Sequence, residues 1–177
     1  SLINNTVEMR LKRFGDIFIS SLILIICLPI IVFVGIFIYL EDKGPIFYSQ
    51  KRSGYLGEIF TIWKLRSMKV DAENDGITWS LKNDQRITKV GRFIRKTRLD
   101  ELPQLLSVFL GDMSLIGPRP ERPEIEAEIK NKIRHYQLRN IIKPGLSGWA
   151  QVNYSYGASL EDAENKLSYD LFYIRNL

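Results

Sequence analysis

The feature that most constrains this chain is an uncharged, strongly apolar run at residues 17–40. As a straight helix this run would be about 36 Å long, which is enough to cross the hydrocarbon core of a bilayer. A secretory signal peptide is excluded because the run is too long, lacks a small-residue cleavage site, and leads directly into Glu41, Asp42 and Lys43. The sequence therefore predicts a segment that enters a membrane.

Two details bear on how this segment enters the membrane. Pro29 lies near its centre, where a proline removes a backbone donor and clashes with the carbonyl four residues earlier, so we expect a kink or a break. Basic residues, which mark the cytoplasmic side, lie on both flanks. They are Arg10, Lys12 and Arg13 before the segment and Lys43, Lys51, Arg52, Lys64, Arg66 and Lys69 after it. A re-entrant hairpin satisfies both flanks, and a spanning helix that tolerates one proline is the open alternative.

The charge balance favours an anionic partner. The 177 residues carry a formal net charge of +5, and basic proteins bind nucleic acid, lipid headgroups or phosphorylated small molecules. The single cysteine, Cys27, excludes an internal disulfide, and the single histidine, His135, has no neighbouring zinc or nucleophile motif. We expect one domain over residues 1–177, cut from a longer chain at both ends, because there is no initiating methionine and the sequence stops inside a helical pattern.

The remaining sequence predicts a mostly helical α+β fold with amphipathic helices at the membrane interface. Short apolar runs at residues 46–48 and 59–63, separated by glycine-containing turns, indicate a small β-hairpin. Residues 70–85 are polar and acidic and predict a loop or a frayed helix. Three prolines in residues 117–123 predict a stiff, non-helical connection. Helical spacing of apolar residues predicts further helices at residues 87–99, 124–140 and 160–174.

The sharpest candidate site combines two adjacent carboxylates with an arginine. Asp100 and Glu101 fall at the start of another predicted helix, in which Pro103 fits only the first turn and Gly111 is the stop. The partial positive charge of a helix N-terminus would keep Asp100 ionised and attract a phosphate, which Arg95 would also attract. Such a carboxylate is a candidate nucleophile or metal ligand. The alternative is that Asp100 only caps the helix.

Three further segments carry candidate residues for binding phosphate or substrate, namely Lys64, Pro118, Arg119, Pro120, Lys143 and Gln151. The two prolines would reduce the entropy lost when the Arg119 guanidinium is held toward an anion. The glycines of residues 143–151 permit close approach of the backbone to a ligand. Lys64 would lie on the same strand face as Arg66. In each segment a rigid turn or a solvent-facing charge is the alternative.

Five motifs in one order carry a resemblance to a known family. They are the pair Lys12-Arg13, FTIWKLRSM at residues 60–68, RLDELPQ at 98–104, GDMSLIGPRP at 111–120 and KPGLSGWAQVN at 143–153. Together they resemble the bacterial sugar transferases called monotopic phosphoglycosyl transferases, over nearly the whole chain. Residues 118–123, 156–159 and 169–171 are most similar to the catalytic domain of the larger exopolysaccharide members.

The resemblance implies a reaction and a membrane location. A sugar 1-phosphate would pass from a UDP-sugar to polyprenyl phosphate with release of UMP, through a covalent intermediate on Asp100, with Glu101 and a Mg²⁺ ion held in part by Asp100. In the family the apolar segment is re-entrant, broken at a Ser-Pro pair, and holds the enzyme on the cytoplasmic face of the inner membrane. Here Leu28 stands at the serine position, so only Pro29 remains to bend the helix.

Two other classes of function stay open. A membrane glycosyltransferase that moves the sugar alone would release UDP rather than UMP. A non-enzymatic scaffold would bind anionic lipid or nucleic acid in a salt-dependent way without turnover, but it leaves the placement of Asp100 and Glu101 unexplained. The resemblance implies no nucleic-acid partner, leaves a homo-oligomer open, and does not identify the sugar.

Overall fold

The computed structural model describes residues 6–72, 84–154, 157 and 159–177, so most of the predicted loop at 70–85 and part of the 156–159 motif lie outside the described residues. Within these residues the helices are α1 (Thr6–Asp42), α2 (Lys89–Lys96), α3 (Leu105–Leu110), α4 (Pro123–Lys132), α5 (Trp149–Asn153) and α6 (Leu160–Arg175). The strands are β1 (Phe47–Ser53), β2 (Ile59–Leu65), β3 (Ser114–Ile116) and β4 (Gly145–Ser147). Short 3₁₀ helices lie at Tyr55–Gly57, Leu99–Gln104 and Tyr136–Ile141. The predicted mostly helical α+β class is confirmed.

The predicted β-hairpin is formed by β1 and β2, which pair antiparallel from Phe47 opposite Leu65 to Ser53 opposite Ile59. The turn between them is a 3₁₀ helix that ends at Gly57, whose φ of 84° is readily adopted only by glycine. Ile62 and Leu65 on β2 are buried. Because the side chains of a strand alternate between its faces, Lys64 is presented away from Leu65, toward the residues that follow α2.

Helix α1 contains the whole apolar run and is long and apolar enough to cross a membrane. It continues without interruption through Pro29, so the structure does not bear out the predicted break in the helix. A proline removes only one backbone hydrogen bond, and the turns on either side keep theirs. One face of α1 is buried, at Ser20, Ile31 and Val34 among others, while the remaining apolar residues of the run are largely exposed.

The amino-terminal end of α1 is bound to the rest of the protein by charged side chains. The Arg13 guanidinium donates to the carbonyls of Val108 and Phe109 at 2.6 and 2.7 Å, at the end of α3. The Asp16 carboxylate accepts from the Ser114 hydroxyl at 2.8 Å. These contacts fix the start of the apolar segment against α3 and β3.

The carboxy-terminal end of α1 is bound to the same part of the protein. Asp42 forms an ion pair with Arg66, which follows β2. Glu41 accepts from the backbone amides of Lys89 and Val90, at 2.7 and 3.2 Å, and so satisfies two free donors at the start of α2. Lys64 and Arg66 were predicted to lie on one strand face, but β2 ends at Leu65, so that Arg66 lies outside the strand. Lys64 pairs with Glu101 and Arg66 pairs with Asp42.

Three clusters of buried apolar residues connect these elements. The first joins α1 to β2 and α2, the second joins α4 to α6, and the third lies between β2 and α3. They contain Ile31, Val34, Ile38, Leu65 and Ile94; Ile129, Ile133, Tyr136 and Leu167; and Ile62, Val108 and Met113. The first cluster also contacts Leu99 and Leu102, and it thereby anchors the segment that carries the two carboxylates.

Helix α4 is shorter than predicted. The apolar spacing favours one helix over residues 124–140, but α4 ends at Lys132, and His135 adopts a left-handed conformation with φ of 62° before the next 3₁₀ helix. Ile133 and Tyr136 are buried with Leu167 of α6 in the second cluster. This tertiary burial outweighs the local preference for a continued helix.

The glycines of residues 143–151 allow two backbone segments to meet. Strand β4 pairs in parallel with β3, with Ser114 opposite Gly145. A Cβ atom on Gly145 would lie 2.1 Å from the Gly117 amide nitrogen, and one on Gly148 would lie 2.3 Å from the Gly117 carbonyl oxygen. Glycine is therefore required here for packing, while a ligand contact at these glycines stays a prediction.

We expect Gly145→Ala to destabilise the protein strongly, by about 1–3 kcal/mol, because the new methyl group must displace backbone. In a chain of this size that corresponds to a fall in Tm of about 2–12 °C. Gly15→Ala, where nothing lies within 4 Å of the new methyl group, is the matched control and should leave Tm unchanged or higher. Equal Tm values for both variants, measured by thermal unfolding in detergent, would contradict the packing described here.

Candidate active site

The segment that carries the two carboxylates is a 3₁₀ helix, Leu99–Gln104, which leads into α3. Its N-cap residue is Arg98, so Asp100 is the second residue of the helix and does not cap it. The predicted helix start near Asp100 is confirmed to within one residue, at Leu99, although the first turns are 3₁₀ and not α. The predicted stop at Gly111 is confirmed by a φ of 104°. Asp100 and Glu101 are both buried, with 8% and 9% of their surface exposed.

Glu101 is the centre of a cluster of charges. Its carboxylate is contacted by the Lys64 ammonium at 3.2 Å and by both terminal nitrogens of Arg119, one of them at 3.3 Å. Burial by itself would raise the pKa of Glu101, but the adjacent charges of Lys64 and Arg119 lower the pKa to about 2. Glu101 is therefore ionised at any physiological pH, and it holds Lys64 and Arg119, with the exposed Arg98 as a third, more distant cation at 3.8 Å.

Asp100 lies in a different electrostatic environment from its neighbour. Burial, and then the adjacent Glu101 carboxylate, raise the pKa of Asp100 above its ordinary value, although Lys64, Arg95 and Arg98 oppose this. A helix N-terminus was expected to stabilise the ionised form of Asp100. The removal of this carboxylate from water has the larger effect, so that its pKa rises. One of its oxygens, Oδ1, is buried and has no hydrogen-bond partner in the described part of the chain.

Residues 117–123, here called the proline loop, place Arg119 against Glu101. Pro118 and Pro120 have no backbone N–H to donate. The backbone of the loop is held through its carbonyls instead, because all four carbonyls of residues 118–121 accept hydrogen bonds from other elements. The donors are Gly145 N to Pro118, Arg139 to Arg119, Arg52 to Pro120 and Ser53 N to Glu121, at 2.9, 2.8, 3.0 and 3.0 Å. The predicted stiff connection is confirmed, and its stiffness comes from these contacts as well as from the prolines.

Sequence reasoning missed the residues that hold the proline loop. Arg139 is buried between Asp170 of α6, at 2.8 Å, and the Tyr136 hydroxyl, also at 2.8 Å. Arg139 falls within the range predicted as one long helix, where its charge is indistinguishable from a solvent-facing one. Asp170 lies in a motif that carries the family resemblance, but nothing local indicates its partner. Arg52 contributed to the sequence analysis only as a flanking charge.

The structure brings some predicted ligands to the carboxylates and leaves others apart. Arg95 is half-buried on α2 and its charge acts on Asp100. Lys143 lies instead beside Gly111, at the opposite end of α3 from Asp100. Gln151 is exposed on α5. The described contacts therefore assemble Lys64, Arg95 and Arg119 around Asp100 and Glu101, and roles for Lys143 and Gln151 stay predictions.

Asp100 is the residue best suited to bind a divalent cation. Among the described residues no group of three or more His, Cys, Asp or Glu side chains could hold a metal. Mg²⁺ commonly binds one or two carboxylates and completes its shell with water and substrate phosphates, so a dedicated cluster is not required. The unpartnered Oδ1 oxygen of Asp100 fits such a role, whereas both oxygens of Glu101 are already occupied by cations.

The sequences of curated relatives match the chain over almost its whole length. The UDP-glucose:undecaprenyl-phosphate glucose-1-phosphate transferase of Klebsiella pneumoniae is 43% identical over 97% of the chain. The UDP-N-acetylgalactosamine-undecaprenyl-phosphate N-acetylgalactosaminephosphotransferase of Aeromonas hydrophila is 39% identical over 99%. The exopolysaccharide production protein PSS of Rhizobium leguminosarum bv. phaseoli is 35% identical over 96%.

These relatives differ in how much of their own length the chain covers. It spans 37% of the Klebsiella protein, 42% of the Aeromonas protein and 88% of the Rhizobium protein. The family profile described as "Bacterial sugar transferase" matches residues 7–177, which include α1, the two carboxylates and the proline loop. The chain therefore belongs to the bacterial sugar transferase family.

Proposed function

We propose that this chain is the catalytic unit of a phosphoglycosyl transferase, which moves a sugar 1-phosphate from a UDP-sugar to polyprenyl phosphate and releases UMP. The observation that carries the proposal is the buried Asp100 carboxylate, beside cations held by Glu101. One oxygen of this carboxylate has no hydrogen-bond partner among the described residues. The names of the Klebsiella and Aeromonas relatives, which specify UDP-sugars and undecaprenyl phosphate, support the substrate classes.

Asp100 acts as the nucleophile in a two-step transfer. In the first step a carboxylate oxygen of Asp100 attacks the phosphorus that bears the sugar, and the bond from that phosphorus to the bridging oxygen breaks, so that UMP leaves with the electron pair. In the second step an oxygen of polyprenyl phosphate attacks the same phosphorus and the carboxylate is released. The raised pKa of Asp100 favours this role, because a more basic, less hydrated carboxylate is a better nucleophile.

Glu101 acts by holding cations and not by transferring protons. With a pKa of about 2 and contacts to Lys64 and Arg119, it is neither a proton donor nor a free base. The charges of Lys64 and Arg119 act on Asp100, and pre-positioned cations beside a transferring phosphoryl group lower the barrier to its transfer. They also reduce the repulsion between two phosphate substrates.

Mg²⁺ is the metal that we propose for this site, held by Asp100 and by substrate phosphates. When bound, it supplies positive charge that offsets the charge on the diphosphate. Arg95 on α2 adds a further positive charge near Asp100 from the chain itself.

The positions of both ends of α1 support a re-entrant course for the apolar segment. Asp16 and Glu41 would lie about 37 Å apart on a straight helix, which exceeds the thickness of the bilayer core. Both are nevertheless hydrogen-bonded to the polar part of the protein that carries Asp100. A spanning helix would place these two contacts on opposite sides of the membrane. We therefore propose that both ends lie on the cytoplasmic face of the bacterial inner membrane. The apolar run would then dip into one leaflet through a bend of α1 at Pro29, with helical turns on either side of the bend.

The reaction is tested by the nucleotide product released from a panel of UDP-sugars with polyprenyl phosphate and Mg²⁺. We expect UMP, and we expect Glu101→Gln to lower kcat by about 10²–10³-fold, because two cations lose the charge that fixes them. Glu128→Gln, which changes an exposed acid on α4, is the control and should match the unaltered protein. Release of UDP would instead identify a glycosyltransferase, and absence of turnover with every sugar would favour the scaffold.

The topology is tested by labelling single cysteines in a Cys27→Ser background. Arg10→Cys and Lys51→Cys, both at exposed positions on opposite sides of the apolar run, should react with a membrane-impermeant maleimide from the cytoplasmic side only. Ile26→Cys, exposed on the protein but within the apolar run, should stay unlabelled. Labelling of the first two positions from opposite sides of sealed vesicles would establish a spanning helix and contradict the re-entrant course.

A further inference from the structure

We infer that Arg139 and Asp170 are positioning residues, which set the backbone of Arg119 so that its guanidinium meets Glu101. The inference makes the C-terminal helix α6 part of the active-site architecture, although no α6 side chain is seen to contact the carboxylates. The inference rests on the proposed function. It adds to the site two residues that lie at least 20 positions away from Arg119 in sequence.

The first step of the argument is how Arg139 uses its hydrogen-bond donors. Its Nε donates to Asp170 Oδ2 at 2.9 Å, and one terminal nitrogen forms an ion pair with the same oxygen at 2.8 Å. Its other terminal nitrogen donates to the Tyr136 hydroxyl at 2.8 Å. The terminal nitrogen of Arg139 that pairs with Asp170 donates its hydrogen bond to the Arg119 carbonyl, at 2.8 Å. Asp170 and Tyr136 therefore fix the plane of the guanidinium, and that plane determines where the Arg119 carbonyl lies.

The second step is how the Arg119 backbone determines its side chain. Pro120 restricts Arg119 to extended conformations, and Pro118 fixes the preceding residue, so the loop moves as one piece. Arg52 holds the next carbonyl along, that of Pro120, at 3.0 Å. A shift of the Arg139 contact is thus passed to the guanidinium of Arg119 instead of being absorbed by the loop.

The third step separates positioning from simple stability. The Arg139–Asp170 pair is almost fully buried, with 6% and 3% of the side chains exposed. A buried ion pair is often no better for stability than an apolar replacement of similar volume. Arg139, however, donates to the backbone carbonyl of Arg119, the residue whose guanidinium contacts Glu101, and a misplacement of about 1 Å in an active site can cost about 10²-fold in rate.

The test is a double-mutant cycle between Asp170→Asn and Arg119→Lys. We expect Asp170→Asn alone to lower kcat/KM for UMP release by about 10–100-fold. In the Arg119→Lys background it should lower kcat/KM by less than about twofold, because the Arg119 fork that it positions is already lost. The fall in Tm caused by Asp170→Asn should be the same in both backgrounds. Glu164→Gln, an exposed acid on α6, is the matched control and should change neither quantity.

Equal fold-losses of kcat/KM in the two backgrounds would overturn the inference and leave the pair with a structural role alone. If Asp170→Asn does not fold, Tyr136→Phe removes one support of Arg139 while keeping the ring, and the same cycle with Arg119→Lys should show the same non-additivity with a smaller loss. These outcomes are read only after the unaltered protein has released UMP. Failure of that first measurement contradicts the proposed function, while additivity contradicts only the inference about Arg139 and Asp170.

Discussion

The structure depends on one buried carboxylate, Glu101, and on the two cations that it holds. Lys64 comes from the β-hairpin and Arg119 from the proline loop, so this contact joins two parts of the chain that are far apart in sequence. Charges removed from water are stable only when they are paired with good geometry. The pairing therefore fixes the proline loop against β2, and on the proposed function it leaves Asp100 as the carboxylate that reacts.

Sequence alone predicted the local elements well and the contacts between them poorly. The hairpin, the last helix, the stop at Gly111 and the stiffness of the proline loop follow from residue types whose effects are local. The end of α4, the parallel pairing of β3 with β4, and the partners of Arg139 depend on residues distant in sequence. The sequence also identified the acidic pair, but it did not show that the two carboxylates differ. Burial and neighbouring charges, which depend on the fold, raise the pKa of Asp100 and lower the pKa of Glu101.

On the proposed function, the position of α1 explains how one site serves a water-soluble and a lipid-soluble substrate. Its ends are hydrogen-bonded to the elements that surround the carboxylates, while most of its apolar residues remain exposed. A segment of this kind cannot leave the lipid without exposing its apolar surface to water. On the proposed re-entrant course, α1 thus fixes the depth of Asp100 at the level where a lipid phosphate meets a nucleotide sugar. A nucleophile that works in two steps suits this position, since the two substrates need not occupy the site together.

The two-step use of Asp100 is tested most directly by isotope exchange in the absence of the lipid acceptor. Labelled UMP is incubated with the protein, Mg²⁺ and whichever UDP-sugar supports turnover, and label in the UDP-sugar is measured. A covalent intermediate predicts that label enters the UDP-sugar without polyprenyl phosphate, and that Asp100→Asn abolishes the exchange. If the unaltered protein turns over with polyprenyl phosphate but catalyses no exchange without it, the transfer is direct and Asp100 is not the nucleophile.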